Sequence, residues 1–388
     1  MSIKGYKAFN RGMICKGKQY EENTTYEENG NKICEAGVMH FCENPFDVLN
    51  YYPLIDEDGN ISDFADVEAI GDIYKGKDKT ATNKLHIGAK LGFKGFIKAC
   101  VDFTIEKTKA ETVKADDVGI SSGDYAKIGS SGDYAKMGSS GDYAQIGSSG
   151  YSAQIGSSGY SAQIGSSGYS AKMGSSGDSA KIGSSGDSAQ IGSSGYSAQI
   201  GSSGYSAKMG SSGDSAKMGS SGDYAQIGSS GDSAQIGSSG YSAQIGSSGD
   251  YAQIGSSGDY AKIGSSGDSA KIGSSGDSAQ IGSSGYSAQI GSSGDSAKIG
   301  SSGDSTQITS KGNNSVVMAA GYNSIAKAKI GSWITLAEWI RTGKTNDSGK
   351  YIWIPKCVKT ECVDGERIKE DTFYKLVDGE FKEVESEE

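Results

Sequence analysis

The residues with the clearest capacity for chemistry are a small group of thiols and one imidazole near the N-terminus. Cys34, His40 and Cys42 fall within nine residues in the segment ICEAGVMHFCENP, and Cys15 could supply a fourth ligand. Thiolate and imidazole donors in such a group are the usual ligands of zinc. The spacing fits poorly, because Cys34 and Cys42 lie further apart than the two to four intervening residues of a zinc knuckle. Buried structural thiols are therefore the competing reading. His40 and His86 are the only histidines in the 388 residues, so histidine acid–base catalysis has few candidates. No catalytic residue is assigned and no cofactor is expected.

The second candidate chemistry is repeated. A nonapeptide G-S-S-G-[DY]-[YS]-A-[KQ]-[IM] recurs 21 times, with its fourth-position glycine running from Gly123 to Gly303 without a miss. Asp occupies position five in 14 units, which raises the question of calcium. The calcium-binding nonapeptide roll places its Asp at position six of G-G-x-G-x-D-x-U-x. Here Asp is one position early, and seven units carry Tyr instead, so the spacing argues against calcium. An ice-binding array of short hydroxyls is opposed by the mixture of Tyr, Ser, Lys and Gln on the outward positions. Tyrosine is the informative residue: 13 units contain one, always at position five or six. Tyr134, Tyr143, Tyr224 and Tyr251 take position six; Tyr151, Tyr160, Tyr196 and Tyr286 take position five. Exposed tyrosines offer rigid contact area with a polar tip to a partner. The alternative is that they stack along the repeat and add stability.

These side chains need a scaffold, and the periodicity specifies one. Within each unit Ala at position seven and Ile or Met at position nine are two residues apart, which places both on one side of a β-strand. The Gly-Ser-Ser-Gly that follows is expected to turn the chain, glycine by accepting positive φ and serine by hydrogen-bonding nearby backbone. Nine residues cannot encircle a core, so one unit makes a half-coil and two units make an 18-residue coil. At about 4.8 Å per coil, the repeat predicts a rod on the order of 50 Å long. Burying one Ala and one Ile stabilises a unit by roughly 2–4 kcal/mol. Ordering its backbone costs about 1–2 kcal/mol per residue, so only a stacked, capped array can fold.

The expected fold class is mainly β: a parallel β-solenoid of nine-residue half-coils, capped by a small α+β N-terminal domain and a small β-rich C-terminal domain. The expected boundaries are 1–117, 118–311 and 312–388. In the first segment, residues 64–73 and 85–87 look like strands. Residues 91–112 have helical spacing, with Phe93, Phe96, Ile97, Cys100, Val101 and Ile105 on one side. That helix is expected to cap the first coil. Residues 333–341 suggest a short helix. Val363-Asp364-Gly365-Glu366 and Val377-Asp378-Gly379-Glu380 both carry the Asp-Gly hairpin signature.

Charge narrows the partners. The net charge is -10, and none of the three segments is basic, which opposes an electrostatic grip on nucleic acid or anionic lipid. The chain shows neither a secretory signal nor an apolar run of spanning length, so a cytoplasmic location in the host cell, with reduced thiols, is expected. A location in a virion is the alternative.

The N-terminal pattern Lys4-Gly5-Tyr6-Lys7-Ala8-Phe9, then Cys34, His40-Phe41-Cys42-Glu43-Asn44-Pro45 and Tyr51-Tyr52 resembles an uncharacterised domain family of phage, prophage and gut-bacterial proteins. The resemblance implies a domain that precedes Gly/Ser/Ala-rich repeats and a small C-terminal β-rich domain, and it implies no activity. Asn314-Ser315-Val316-Val317-Met318-Ala319 and Gly321-Tyr322-Asn323-Ser324-Ile325-Ala326 resemble a degenerate head repeat of trimeric adhesins, which implies a β-roll and is compatible with a homo-oligomer, dimer or trimer. The expected function is a non-enzymatic scaffold, phage or prophage encoded, binding a host macromolecule through its repetitive surface, with a host or phage protein as partner. The alternatives are a spacer or fibre component of a virion, an ice- or calcium-binding repeat protein, and a small enzyme or metal module displayed on a rod.

Overall fold

The computed structural model describes residues 2–30, 37–55, 61–76, 78–108, 112–113 and 118–385, with backbone alone for 105–108 and 112–113. The chain forms two compact units, residues 1–225 and 226–388. The first opens with a small α+β domain whose elements follow from local sequence. Strands β1 (Ile3–Phe9), β2 (Ile14–Cys15), β3 (Lys18–Gln19), β4 (Thr24–Glu27), β5 (Met39–Phe41), β6 (Asp63–Ala69), β7 (Ile73–Lys75), β8 (Thr80–Thr82) and β9 (Lys84–Leu91) precede helix α1 (Phe93–Thr108). They make a four-stranded sheet in the order β1-β6-β9-β4, a three-stranded sheet β5-β8-β7 and a small hairpin β2-β3. The strand expected at 85–87 lies within β9; the one expected at 64–73 is divided into β6 and β7; the helix expected at 91–112 is observed over Phe93–Thr108, with Leu91 in β9 and Thr112 in a short strand. A 3-10 helix at Pro45–Asn50 begins where the Asn44 side chain accepts the Phe46 N–H and Pro45 fixes the first turn.

Two clusters of large side chains hold this domain. One gathers Phe9, Met13, Tyr20, Met39, Phe41, Leu85 and Ile87 between the sheets. The other joins Phe46, Val48, Leu54 and Phe64 to the α1 face Phe93, Phe96, Ile97 and Cys100. Phe64 and Phe96 stack with centroids 3.7 Å apart. Ile105, assigned by its spacing to the same helix face, lies outside the described side chains.

From Val118 the repeat folds as a parallel β-solenoid. Each nonapeptide contributes a four-residue strand, such as Lys127–Ser130 or Lys136–Ser139. Within each unit the strands pair in parallel with the one 18 residues along, Lys127 with Gln145 and Lys136 with Gln154 in the first and Gln226 with Gln244 in the second. Alternate units therefore build two separate sheets, and the 18-residue coil is observed. Ala at position seven is buried from Ala135 onward, and Ile or Met at position nine in all the units. A third interior row consists of the serine at position two, which the apolar pattern did not reveal. In the first unit its Oγ accepts the N–H of the glycine two residues on, as Ser130 does for Gly132 at 3.1 Å.

That turn glycine is required for a different reason from the expected one. The described glycines with positive φ are Gly12, Gly17, Gly37, Gly331, Gly343, Gly349, Gly365 and Gly379, and none belongs to the 21 units. A Cβ on Gly159 would instead sit 1.8 Å from the carbonyl oxygen of Gly141, one coil earlier, and the same clash recurs along the row. Glycine is needed because successive turns approach through their backbones.

Within the second unit the coils carry a different turn. From Tyr251 onward the position-six residues adopt left-handed backbone, with φ near 56° at Tyr251 and Ser269. Their N–H groups donate forward, Tyr251 to the Asp268 carbonyl at 2.8 Å. In the first unit the equivalent N–H donates backward, Ser152 to the Asp133 carbonyl at 2.6 Å. A left-handed serine costs on the order of 1 kcal/mol. The Asp carboxylates offset it: Asp250 accepts the Asp268 N–H, and Asp277 accepts the Asp295 N–H, both at 2.8 Å.

The coils run past the expected boundary at 311. Val316–Ala319 pairs in parallel with Lys298–Ser301, and Ile325–Lys327 with Gln307–Thr309. Residues 312–327 are thus two further half-coils, with Asn314 and Asn323 in the left-handed turn position that Asn tolerates. The helix expected at 333–341 is a strand, Trp333–Thr345, whose first residues pair in parallel with Val316–Ala319. Its burial alternates, Ile334 and Leu336 inward, because Trp, Ile and Thr suit a pleated half-buried surface better than a helix turn. The strand then pairs antiparallel with Tyr351–Cys362. Asp378-Gly379 forms the expected hairpin between Phe373–Val377 and Glu380–Val384. Asp364-Gly365 does not: the Asp364 carboxylate accepts the N–H groups of Glu366, Arg367 and Ile368 and closes a local turn.

Candidate binding surfaces

Within the first unit α1 does not cap the first coil. It lies along one sheet, against the strands that contain Lys127, Gln145, Gln163, Lys181 and Gln199. The glycines at position one of these units form its seat. A Cβ on Gly165 would meet the backbone of Val101 at 3.2 Å, one on Gly201 would strike Ile97, and one on Gly219 would meet Phe93 and Leu54. One coil rises about 4.8 Å and one helical turn about 5.4 Å, so roughly one turn meets one glycine.

The repeat answers with one charged anchor. Lys181 Nζ donates to the Phe46 carbonyl at 3.2 Å and to Asn50 Oδ1 at 3.0 Å. Burial pushes this amine below the usual lysine range, against the opposing pull of Asp47. Asp47 is itself pushed upward by burial. A small cleft lined by Phe46, Leu54, Phe96, Ile97 and Lys181 remains at this junction, with room for about one water.

The other sheet of the first unit presents the same motif uncovered. Around a Cβ built on Gly156, Gly174, Gly192 or Gly210 there is nothing within 4 Å. Lys136, Gln154, Lys172, Gln190 and Lys208 stand exposed beside this glycine row. The turns carry the tyrosines. In the first unit Tyr134, Tyr143, Tyr151, Tyr160, Tyr196 and Tyr224 are 47–64 % exposed. Tyr251 and Tyr286 of the second unit fall in the same range. Where a tyrosine recurs in the next coil the rings associate: Tyr125 with Tyr143 at 5.2 Å and Tyr151 with Tyr169 at 5.3 Å, both nearly parallel. Tyr205 meets Tyr224 edge-on at 5.1 Å. The rings therefore stack along the coils and still offer open edges.

The N-terminal thiols occupy a different setting. Cys42 is buried, and burial pushes its thiol up to about 12. Cys15 accepts a hydrogen bond from the Tyr52 hydroxyl at 3.1 Å. His40 is pushed down to about 4 by burial, aided by the charges of Lys79, Lys7 and Lys16. Cys34 lies outside the described residues. Among the described residues no group of three or more His, Cys, Asp or Glu side chains could hold a metal ion.

Lys7 went unnoticed as a site residue. Its amine donates to the His40 carbonyl at 2.8 Å and lies over the rings of Phe9 and Tyr20 at 5.6 and 5.5 Å. Burial holds it below the ordinary lysine range. The signal available was its place in an alternating strand, where Lys7 falls on the same side as Gly5 and Phe9, both buried. Lys181 gave no such signal, since eight other units carry Lys at the same position.

Residues 3–99 match the model of a family described as Domain of unknown function (DUF7666). No curated protein and no solved structure matches the chain.

Proposed function

We propose that the chain is a non-enzymatic scaffold that binds a macromolecule through the repetitive surface of its solenoid. The observation that carries this reading is the contrast within the first unit. One sheet is occupied by the chain's own helix, while the opposite sheet leaves Gly156, Gly174, Gly192 and Gly210 open and exposes the Lys and Gln row beside them. A row of side-chain-free positions flanked by amides, amines and tyrosine edges offers repeated, identical contacts, which favours avidity over any single strong site. The resemblance of the N-terminal pattern to phage and prophage proteins makes a host macromolecule the natural target.

The test is affinity capture from host lysate with the whole protein and with a Tyr151→Ser, Tyr169→Ser, Tyr205→Ser variant, whose removed rings are exposed. The expected result is a specific partner that binds the parent and is lost by at least tenfold in the variant, confirmed with that partner purified. Equal recovery of the same proteins by both chains overturns the reading.

A further inference from the structure

In the second unit the hairpin formed by Trp333–Thr345 and Tyr351–Cys362 departs from the pattern of the coils. Its inward face is core at Ile334 and Leu336. Further along the ribbon that cover ends, and from residue 340 to 356 every side chain except Thr342 is exposed. The register places Ile340 opposite Ile354, so Ile340, Ile352 and Ile354 share one face. Arg341 lies opposite Trp353, and Tyr351 is two residues from Trp353, so the aromatic pair occupies the other face. These five apolar side chains are 38–51 % exposed. Arg341 stacks on the Tyr351 ring, and Trp353 packs at 4.3 Å on Tyr322 of the last coil. Around them stand Arg341, Lys344 and Lys350 against a single acid, Asp347, a local excess of cations in a chain of net charge -10.

Concentrated exposed apolar surface marks a docking site. Two features select its occupant. Ile340, Ile352 and Ile354 lie on one face and Tyr351 on the other, where Trp353 is braced on Tyr322, so a partner seated on the isoleucine face would leave Tyr351 bare, whereas an interfacial lipid layer surrounds the tip. The cations rimming the tip oppose close contact with a second identical tip and complement an anionic surface.

We propose that this ribbon is a peripheral docking element for an anionic bilayer. It sets Ile340, Ile352, Ile354 and Tyr351 into the interfacial layer, with Trp353 at the base braced on Tyr322 and Arg341, Lys344 and Lys350 on the headgroups. The six strand residues from 340 to 345 extend about 20 Å, beyond the roughly 5–10 Å that interfacial elements penetrate. Tryptophan, tyrosine and basic residues are the side chains that favour this layer. The segment-averaged charge conceals the tip because acidic residues elsewhere in the C-terminal segment balance it.

The experiment is co-sedimentation of the whole protein with phosphatidylcholine–phosphatidylserine vesicles and with phosphatidylcholine vesicles, read together with tryptophan emission. The parent should bind the anionic vesicles with a blue shift and lose binding at high salt. I352E/I354E should bind at least roughly tenfold more weakly, and K344E/K350E about 30-fold more weakly, both with unchanged far-UV circular dichroism. The parent failing to sediment with anionic vesicles overturns the proposal. So does equal binding to both vesicle types, or a parent that forms oligomers without lipid and becomes monomeric as I352E/I354E. None of these outcomes bears on capture through the solenoid tyrosines, so the two readings fail separately.

Discussion

The two sheets of the solenoid in the first unit are built from the same nonapeptide, yet one is an internal interface and the other a surface. Gly165, Gly183, Gly201 and Gly219 lie under α1, while Gly156, Gly174, Gly192 and Gly210 face open space. The motif does not distinguish them. Position one lacks a side chain in both, and what differs is whether an apolar helix face with the right spacing is delivered to it. A repeat of this kind gives every coil the capacity to be a seat, and the flanking sequence decides which seats are filled.

The largest effect should be indifferent to that distinction. Gly159→Ala and Gly168→Ala place a Cβ 1.8 Å from a carbonyl of the preceding coil, one on each edge. Each should cost on the order of 3 kcal/mol in chemical denaturation. If one edge tolerates alanine, the backbone stacking is not common to both. Next, Gly165→Val should cost about 1–3 kcal/mol by overpacking against the Val101 backbone. Gly174→Val on the open sheet should stay within about 0.5 kcal/mol. Equal losses would abolish the difference between the sheets.

A smaller contrast compares two lysines at the same repeat position. Lys181→Gln removes two hydrogen bonds from a buried amine and should cost roughly 1–2 kcal/mol in the same measurement. Lys172→Gln, exposed on the open sheet, should be silent. The smallest effect concerns the domain that does the covering. His40 titrates near 4 when folded against an ordinary 6.5, so on acidification the unfolded chain takes up its proton first. Stability is therefore full above pH 6.5 and is lost as pH falls from 6.5 towards 4. With solvent screening of a half-exposed ring, this amounts to about 1 kcal/mol. His40→Gln should flatten the pH dependence of unfolding in that window relative to the parent; a profile parallel to the parent's would remove His40 from the explanation.

Much of the solenoid was legible because a strict period of nine leaves little freedom: Ala and Ile two apart specify a strand, and nine residues specify half a coil. The buried Ser row was hidden, since serine reads as a turn residue while its Oγ caps the Gly N–H from inside the coil. The turn glycines were recognised with the wrong cause, because contact between successive coils is invisible in one unit. Residues 312–327 lost the repeat's letters while keeping its geometry. Trp333–Thr345 was misread because a short apolar run has no decisive period until the partner strand is known. The lateral seat of α1 was out of reach, since its amphipathic face fits the end of a solenoid as well as its side. The four-ligand zinc reading includes Cys34, which lies outside the described residues; among the described residues no group of three or more such ligands gathers.

The contrast between the sheets is most directly tested by site-specific thiol labelling. Cysteines placed at Gly183 and Gly192 differ by nine residues and sit at the same repeat position. A Cβ at Gly183 is in ordinary contact with Ile97 at 3.8 Å and Val101 at 3.9 Å, and unchanged far-UV circular dichroism of both variants is the control that α1 stays seated. Native labelling with a maleimide, followed by peptide mass mapping of each site, should find Gly192→Cys reacting like a free exposed thiol and Gly183→Cys protected at least roughly 100-fold, the factor by which a local opening of about 2.7 kcal/mol slows access. Equal labelling of the two positions contradicts a helix seated on one sheet and leaves the solenoid with two equivalent faces.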